Sequence, residues 1–337
     1  MAIKVAINGF GRIGRLVFRI MEEDSDFEIV AINDVGKIED LAYLLKYDTV
    51  HGRYKVDDIK VEGEQIVIGN HSIKVFAERE PGNLPWGDLG IDIVFECSGV
   101  FTTKEKAYPH IEAGAKKVII SAPAGDEVKM IVYNVNQETL TGEEEIISAA
   151  SCTTNCLAPV LKVVEDNFGI NKGYMTTVHA YTNDQNTLDG PHKKGIKSRR
   201  GRAAAANVVP TSTGAASAIG AVIPSLNGKM DGKALRVPVQ DGSVIDLVLE
   251  LNRNTTVEEI NQAFQNSANE TLKYTEDPVV SSDIIGTHCG ALFDSLNTDV
   301  LEVEGKQLVK VLAWYDNEMG YSAQMVRTGK YFVELSK

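Results

Sequence analysis

Ile3-Lys4-Val5-Ala6-Ile7-Asn8-Gly9-Phe10-Gly11-Arg12-Ile13-Gly14 decides the fold, because it joins an apolar strand to a helix through G-x-G-x-x-G. In this pattern Gly9 allows the tight turn, Gly11 lets the backbone come close to a pyrophosphate, and Gly14 lets helix and strand pack closely. The helix that begins at Arg12 turns its unpaired N–H groups and positive dipole end toward the phosphates. The next strand runs to Asn33-Asp34, twenty residues after Gly14. An acidic side chain there meets the ribose hydroxyls and repels a 2′-phosphate, which points to NAD rather than NADP.

Outward from this unit the first half of the chain alternates strand and helix. Residues 12–21 and 38–46 read as helices, 91–96 and 117–120 as short buried strands, and 103–113 as one helix between them. Such alternation is the pattern of a mostly parallel sheet covered on both faces. Beyond residue 170 the texture changes, and 174–180, 235–239, 243–251, 298–303 and 308–315 are β-rich. Residues 319–335 are amphipathic and predicted helical. The expected fold class is α/β: a Rossmann-type doubly wound parallel sheet plus an α+β catalytic domain with a mainly antiparallel sheet. The expected boundaries are 1–151 for the dinucleotide-binding domain, with a C-terminal helix 318–337 returning to it, and 152–317 for the catalytic domain.

At 337 residues about two domains are expected, and 43% hydrophobic with 24% charged residues is ordinary for a globular chain. A net charge of -13 argues against a general affinity for nucleic acid or acidic membrane surfaces. An anionic substrate must then be met by a local cluster. The four cysteines, Cys97, Cys152, Cys156 and Cys289, are too few for a disulfide scaffold and match no common zinc spacing, so no metal is expected. Met1 to Val5 enters a strand without an apolar signal region, and no stretch approaches the ~20 apolar residues of a membrane span. A soluble, cytoplasmic protein is expected.

Ala149-Ala150-Ser151-Cys152-Thr153-Thr154-Asn155-Cys156 sets a cysteine among hydroxyls where a helix begins. With Ser151 as N-cap, Cys152 falls in the first turn, where the open N–H groups and the dipole favour a thiolate. The alternative is a buried structural cysteine. His179 lies at the end of a predicted strand, and an imidazole near the thiol is expected to form an ion pair with it and depress its pKa; a hydrogen-bonded structural histidine is the alternative. Thr213-Gly214, ahead of the helical-looking small-residue run 215–221, and Arg236 are candidate anion binders. A salt bridge for Arg236 and a plain helix cap for Thr213 are the simpler alternatives. The long connection 182–202 carries a basic cluster from Lys193 to Arg202, read either as a solvated loop or as a surface for phosphate or a second subunit.

Taken in this order, these residues resemble the phosphorylating glyceraldehyde-3-phosphate dehydrogenases of bacterial type. The resemblance runs from Lys4 to about Leu335, and rests most specifically on Ser151 to Cys156 and on Trp314-Tyr315-Asp316-Asn317-Glu318-Met319-Gly320-Tyr321. It implies oxidative phosphorylation of D-glyceraldehyde 3-phosphate to 1,3-bisphosphoglycerate in glycolysis, with Cys152 as nucleophile, His179 as base, and NAD as cofactor. Gly9, Gly11, Arg12, Ile13, Gly14, Asp34, Arg79 and Ser121 would hold the cofactor, with Asn317 at the carboxamide and Tyr321 near the nicotinamide. Thr182 and Arg236 would meet the substrate's phosphate; Ser151, Thr153, Thr213 and Gly214 would meet inorganic phosphate, with Arg200 sharing in phosphate binding. A homotetramer is implied. A homologous dehydrogenase of erythrose 4-phosphate and a catalytically silent NAD-binding interaction protein stay open as alternatives.

Overall fold

In the computed structural model, which describes residues 2–336, the apolar run Ile3–Asn8 forms β1, and the glycine turn carries it into α1 (Arg12–Glu22). Met1 and Lys337, at the outer ends of the ranges expected for the first domain, lie outside the described residues. β2 (Phe27–Asn33) runs parallel to β1 with Asn33 opposite Asn8, so both strands end at one edge. After α2 (Ile38–Lys46), the two-residue strands β3 (Tyr47–Asp48) and β4 (Gly52–Arg53) pair with each other. Next come β5 (Ile59–Glu62), β6 (Gln65–Ile68) and β7 (His71–Phe76). They are followed by α3 (Trp86–Leu89), β8 (Ile93–Glu96), α4 (Lys104–Ala107), α5 (Pro109–Glu112), β9 (Lys117–Ile120) and β10 (Ile146–Ser148).

The first sheet has the order β10-β9-β8-β1-β2-β7-β6-β5. It is parallel from β10 to β7 and antiparallel through β6 and β5. β8, β9 and, at the sheet's edge, β10 are buried at every residue, as strands covered on both faces must be. Two expectations are corrected. The antiparallel edge β5–β7 interrupts the strand–helix alternation; its two-residue connections start with Gly63 (φ 61) and Gly69 (φ 58), which take the left-handed backbone that tight hairpins demand. The single helix over 103–113 is two short ones, because Pro109 lacks the N–H that would continue α4 and instead opens α5.

The second sheet is built from β11 (Ile170–Ala180), β12 (Val209–Ser212), β13 (Met230–Val237), β14 (Ser243–Leu251), β15 (Leu272–Thr275), β16 (Ala291–Asp294), β17 (Asp299–Val303) and β18 (Lys306–Tyr315). Its order is β12-β13-β11-β14-β18-β16-β15, with β17 on β18. Only the β11–β13 and β15–β16 pairs are parallel. The two-residue period puts Met175, Thr177 and His179 of β11, Ser243, Ile245 and Leu247 of β14, and Val311, Ala313 and Tyr315 of β18 on the buried face. Helix α6 (Cys152–Phe168) packs on β11, β14, β16 and β18. A further helix, α7 (Val257–Asn266), packs against α6 and β15.

Contacts group the chain into two units, one comprising residues up to Ser151 together with those from Ser322 on, the other Cys152–Tyr321. The return occurs inside the last helix, α8 (Met319–Glu334). In the first unit α8 is seated by Phe332, fully buried beneath the Lys117 ammonium at 4.6 Å, and by an ion pair between Lys330 and Asp26. Among the described residues no helix is long and apolar enough to cross a membrane.

Candidate active site

The glycine turn shows which glycines the fold itself needs. Gly9 has φ +91, and a Cβ there would stand 2.4 Å from the Ser98 nitrogen; at Gly14 it would stand 2.0 Å from the Gly9 carbonyl oxygen. A Cβ at Gly11 would meet nothing within 4 Å, so nothing inside the chain demands glycine there. Gly11 caps α1 with no side-chain bond, which leaves the first-turn N–H groups turned to an approaching anion. Asp34 accepts the Phe10 N–H at 2.7 Å on Oδ2 and the Gly36 N–H at 2.8 Å on Oδ1, and each oxygen keeps a lone pair for a ribose hydroxyl. Gly9, Gly11, Asp34 and the exposed Arg79 line one cavity of about 340 Å³.

Arg12 is ion-paired to Asp48 at 2.6 Å beside the turn, and half-buried Ile13 follows it. Ser121 lies just past β9, its N–H on the Glu96 carbonyl at 3.0 Å, and is not among the residues lining that cavity. Beneath the turn, buried Glu96 accepts the Asn8 amide, the Ser98 N–H at 2.8 Å and the His110 Nε2 at 3.1 Å. His110 Nδ1 in turn accepts the Trp86 indole N–H at 3.0 Å. These residues fit a dinucleotide: a sterically open glycine and bare helix end for the pyrophosphate, and an anchored carboxylate for the ribose.

In the second unit Cys152 is the first residue of α6. The chain reaches it through Ala150, whose φ of 60 is left-handed and costs a non-glycine residue ~1–2 kcal/mol. Cys152 Sγ stands 3.4 Å from His179 Nε2. On the other side of the ring, Nδ1 lies 2.7 Å from the Ala180 carbonyl oxygen and 2.8 Å from Arg236 Nη1, which also donates to that oxygen at 2.9 Å. Register explains the neighbourhood, since His179 of β11 is opposite Arg236 of β13.

Burial and the Arg236 charge set the electrostatics around the pair. Burial pushes the Cys152 thiol above its ordinary range, opposed by the Arg236 charge and by hydrogen bonds from Thr153. Burial, then the Arg236 charge, pushes His179 down to about 3. Both directions favour the uncharged partners, a thiol and a neutral imidazole. Desolvation outweighs the favourable charge, and the guanidinium beside Nδ1 disfavours an imidazolium. A neutral imidazole is also the form able to take a proton.

The expected phosphate contacts fall into two groups. Arg236 retains a buried Nε with no hydrogen-bond partner, which leaves a donor to spare, and Thr182 stands two residues beyond β11. Ser151 immediately precedes α6, and Thr153 Oγ1 is 3.0 Å from the Tyr315 hydroxyl. The basic cluster of the 182–202 loop is partly paired from within: Arg200 and Lys193 with Asp184, and Arg202 with Asp189. Arg200 also donates to Thr211 Oγ1 at 3.1 Å. Residues 215–221 do not form the expected α-helix; only the short 3-10 helix Ser217–Ala221 is present, because Gly220 backs tightly on Asn227 and Pro224 starts another turn. Thr213 Oγ1 accepts the Ala215 N–H at 3.2 Å beside exposed Gly214, so the anion-binding case there rests on local N–H groups without a helix dipole.

Two residues went unread in the sequence. Tyr315 is buried, its hydroxyl 2.8 Å from Thr177 Oγ1 and its ring edge-on to His179 at 5.8 Å. Ser243 donates to Asn317 Oδ1 at 2.5 Å. The signal for both was the period of two along β14 and β18, which turns them to the same face as the buried valines and isoleucines. Asn317 and Tyr321, at either side of the start of α8, are both buried.

The family profile described as "Glyceraldehyde 3-phosphate dehydrogenase, NAD binding domain" matches residues 3–104, and that of the C-terminal domain matches 151–317. A curated glyceraldehyde-3-phosphate dehydrogenase of Clostridium pasteurianum is 58% identical over 334 residues, 99% of each chain. One from Streptococcus pyogenes is 56% identical over 338 residues, covering 100% of both.

Proposed function

The chain belongs to the glyceraldehyde-3-phosphate dehydrogenase family of NAD-dependent oxidoreductases, and from that premise we propose how its own residues carry the reaction. It oxidises glyceraldehyde 3-phosphate and phosphorylates the product. Thr182 and Arg236 hold the substrate's phosphate and bring the aldehyde carbon to Cys152. The proton of Cys152 passes to His179 Nε2 and on to the aldehyde oxygen as the S–C bond forms, giving a hemithioacetal. His179 then takes that hydroxyl proton while the C1–H electron pair departs, and a thioester remains. When bound, NAD supplies the acceptor for that hydride. Gly9, Gly11, Arg12, Ile13, Gly14, Asp34, Arg79 and Ser121 hold it, with Asn317 and Tyr321 at the nicotinamide end. Ser151, Thr153, Thr213 and Gly214, with Arg200, hold inorganic phosphate, which attacks the thioester carbonyl; the C–S bond breaks and Cys152 is regenerated.

The observation that carries this reading is the 3.4 Å contact of Cys152 Sγ with His179 Nε2, with Arg236 against the other ring nitrogen. The test is phosphate-dependent NADH formation from glyceraldehyde 3-phosphate. Cys152→Ser is expected to lose turnover by at least ~10³-fold while still binding NAD, since a serine hydroxyl is almost wholly protonated at neutral pH. Normal NAD reduction by that variant would sink the mechanism, and faster turnover of erythrose 4-phosphate would reassign the substrate. A cytoplasmic homotetramer completes the proposal, supported by Leu188 (77% exposed) and Ile196 (95% exposed) on the 182–202 loop, apolar side chains that a subunit contact would cover. Sedimentation at assay concentration checks it, and a monomer would refute it.

A further inference from the structure

Ser243 opens β14 and is fully buried. Its hydroxyl oxygen accepts the Ala180 N–H at 3.1 Å and donates its own proton to Asn317 Oδ1 at 2.5 Å. A hydroxyl has one proton, and Asn317 Oδ1 is the acceptor within reach. Were the Asn317 amide turned over, its NH₂ would face the serine oxygen, and the serine proton would be buried without an acceptor, at a cost of ~1–3 kcal/mol. The bond therefore fixes which end of the amide faces Ser243 and turns the two N–H donors of Nδ2 the other way. The same serine reaches the base. Ala180, whose N–H it accepts, receives Arg236 Nη1 on its carbonyl oxygen beside His179 Nδ1. One unbroken chain thus runs Asn317, Ser243, Ala180, His179, Cys152.

We propose that Ser243 is a positioning residue that holds the Asn317 amide with its donors toward the carboxamide oxygen of a bound nicotinamide, and registers that amide to the His179–Cys152 pair. The inference rests on the reading of Asn317 as the carboxamide contact. It goes beyond that reading by naming what decides the amide's orientation. Without the serine proton nothing at that position opposes the turned-over amide, which presents an oxygen to the carboxamide oxygen and repels it.

The test compares NAD with ADP-ribose, which shares every part of the dinucleotide except the nicotinamide, by calorimetric titration of wild type, Ser243→Ala, Asn317→Ala and the double variant. Ser243→Ala is expected to lower NAD affinity about 10-fold while changing ADP-ribose affinity less than 2-fold. In the Asn317→Ala background the same substitution should change neither. Iodoacetamide labelling of Cys152 and thermal unfolding of each variant report whether the second unit remains intact. An equal fall for NAD and ADP-ribose would make Ser243 a structural residue and overturn the proposal. So would an unchanged NAD affinity, or a loss that persists without Asn317. If wild type binds ADP-ribose as tightly as NAD and Asn317→Ala loses nothing, the failure lies instead in the carboxamide reading.

Discussion

Burial disfavours the Cys152 thiolate and the His179 imidazolium alike, while the Arg236 charge favours the thiolate and adds a second penalty to the imidazolium. The alkylation of Cys152 by iodoacetamide should accordingly climb steadily into the alkaline range, without the plateau between about pH 5 and 8 that an ion pair would produce. Arg236→Leu removes the positive charge that favours the thiolate, so the midpoint is expected to move up by about one pH unit. A downward move would mean that the guanidinium acts through packing instead. The candidate nucleophile and base were legible from residue types and context, and the structure brings Cys152 Sγ and His179 Nε2 together. Their desolvation was not, since it depends on what the rest of the fold piles around them.

In the strand–turn–helix element, the three glycines of one motif divide into two kinds. Gly9→Ala forces a side chain into a left-handed turn against the Ser98 backbone, and is expected to cost ~2–4 kcal/mol of stability. Gly11→Ala places its methyl in open space, and should leave urea unfolding within ~0.5 kcal/mol of wild type while weakening NAD binding at least ~10-fold. Equal destabilisation by the two would contradict the assignment of Gly11 to the pyrophosphate. Other elements were less legible. The β5–β7 edge carried its own signal, alternating residues around Gly63 and Gly69, in a stretch where helices and parallel strands dominated the reading. The run 215–221 looked helical by composition, but only a 3-10 turn, Ser217–Ala221, forms there, with Gly220 close against Asn227.

At the scale of the whole chain, the last helix begins in the unit that carries Cys152 and ends in the unit that carries the glycine turn. Phe332 is fully buried there, and Phe332→Ala should cost ~3–5 kcal/mol in urea unfolding. A loss below ~1 kcal/mol would show that α8 contributes little to the first unit. By itself the sequence determined the dinucleotide turn, the acidic residue after β2, the cysteine at a helix start and the two types of sheet, because each is written in residues that are neighbours along the chain or share a short period. Only the tertiary structure decided that Arg236 lies against the base and that a buried serine turns the Asn317 amide. Those outcomes depend on strand register and on the loss of water around each group, and both come into being only when distant segments pack together.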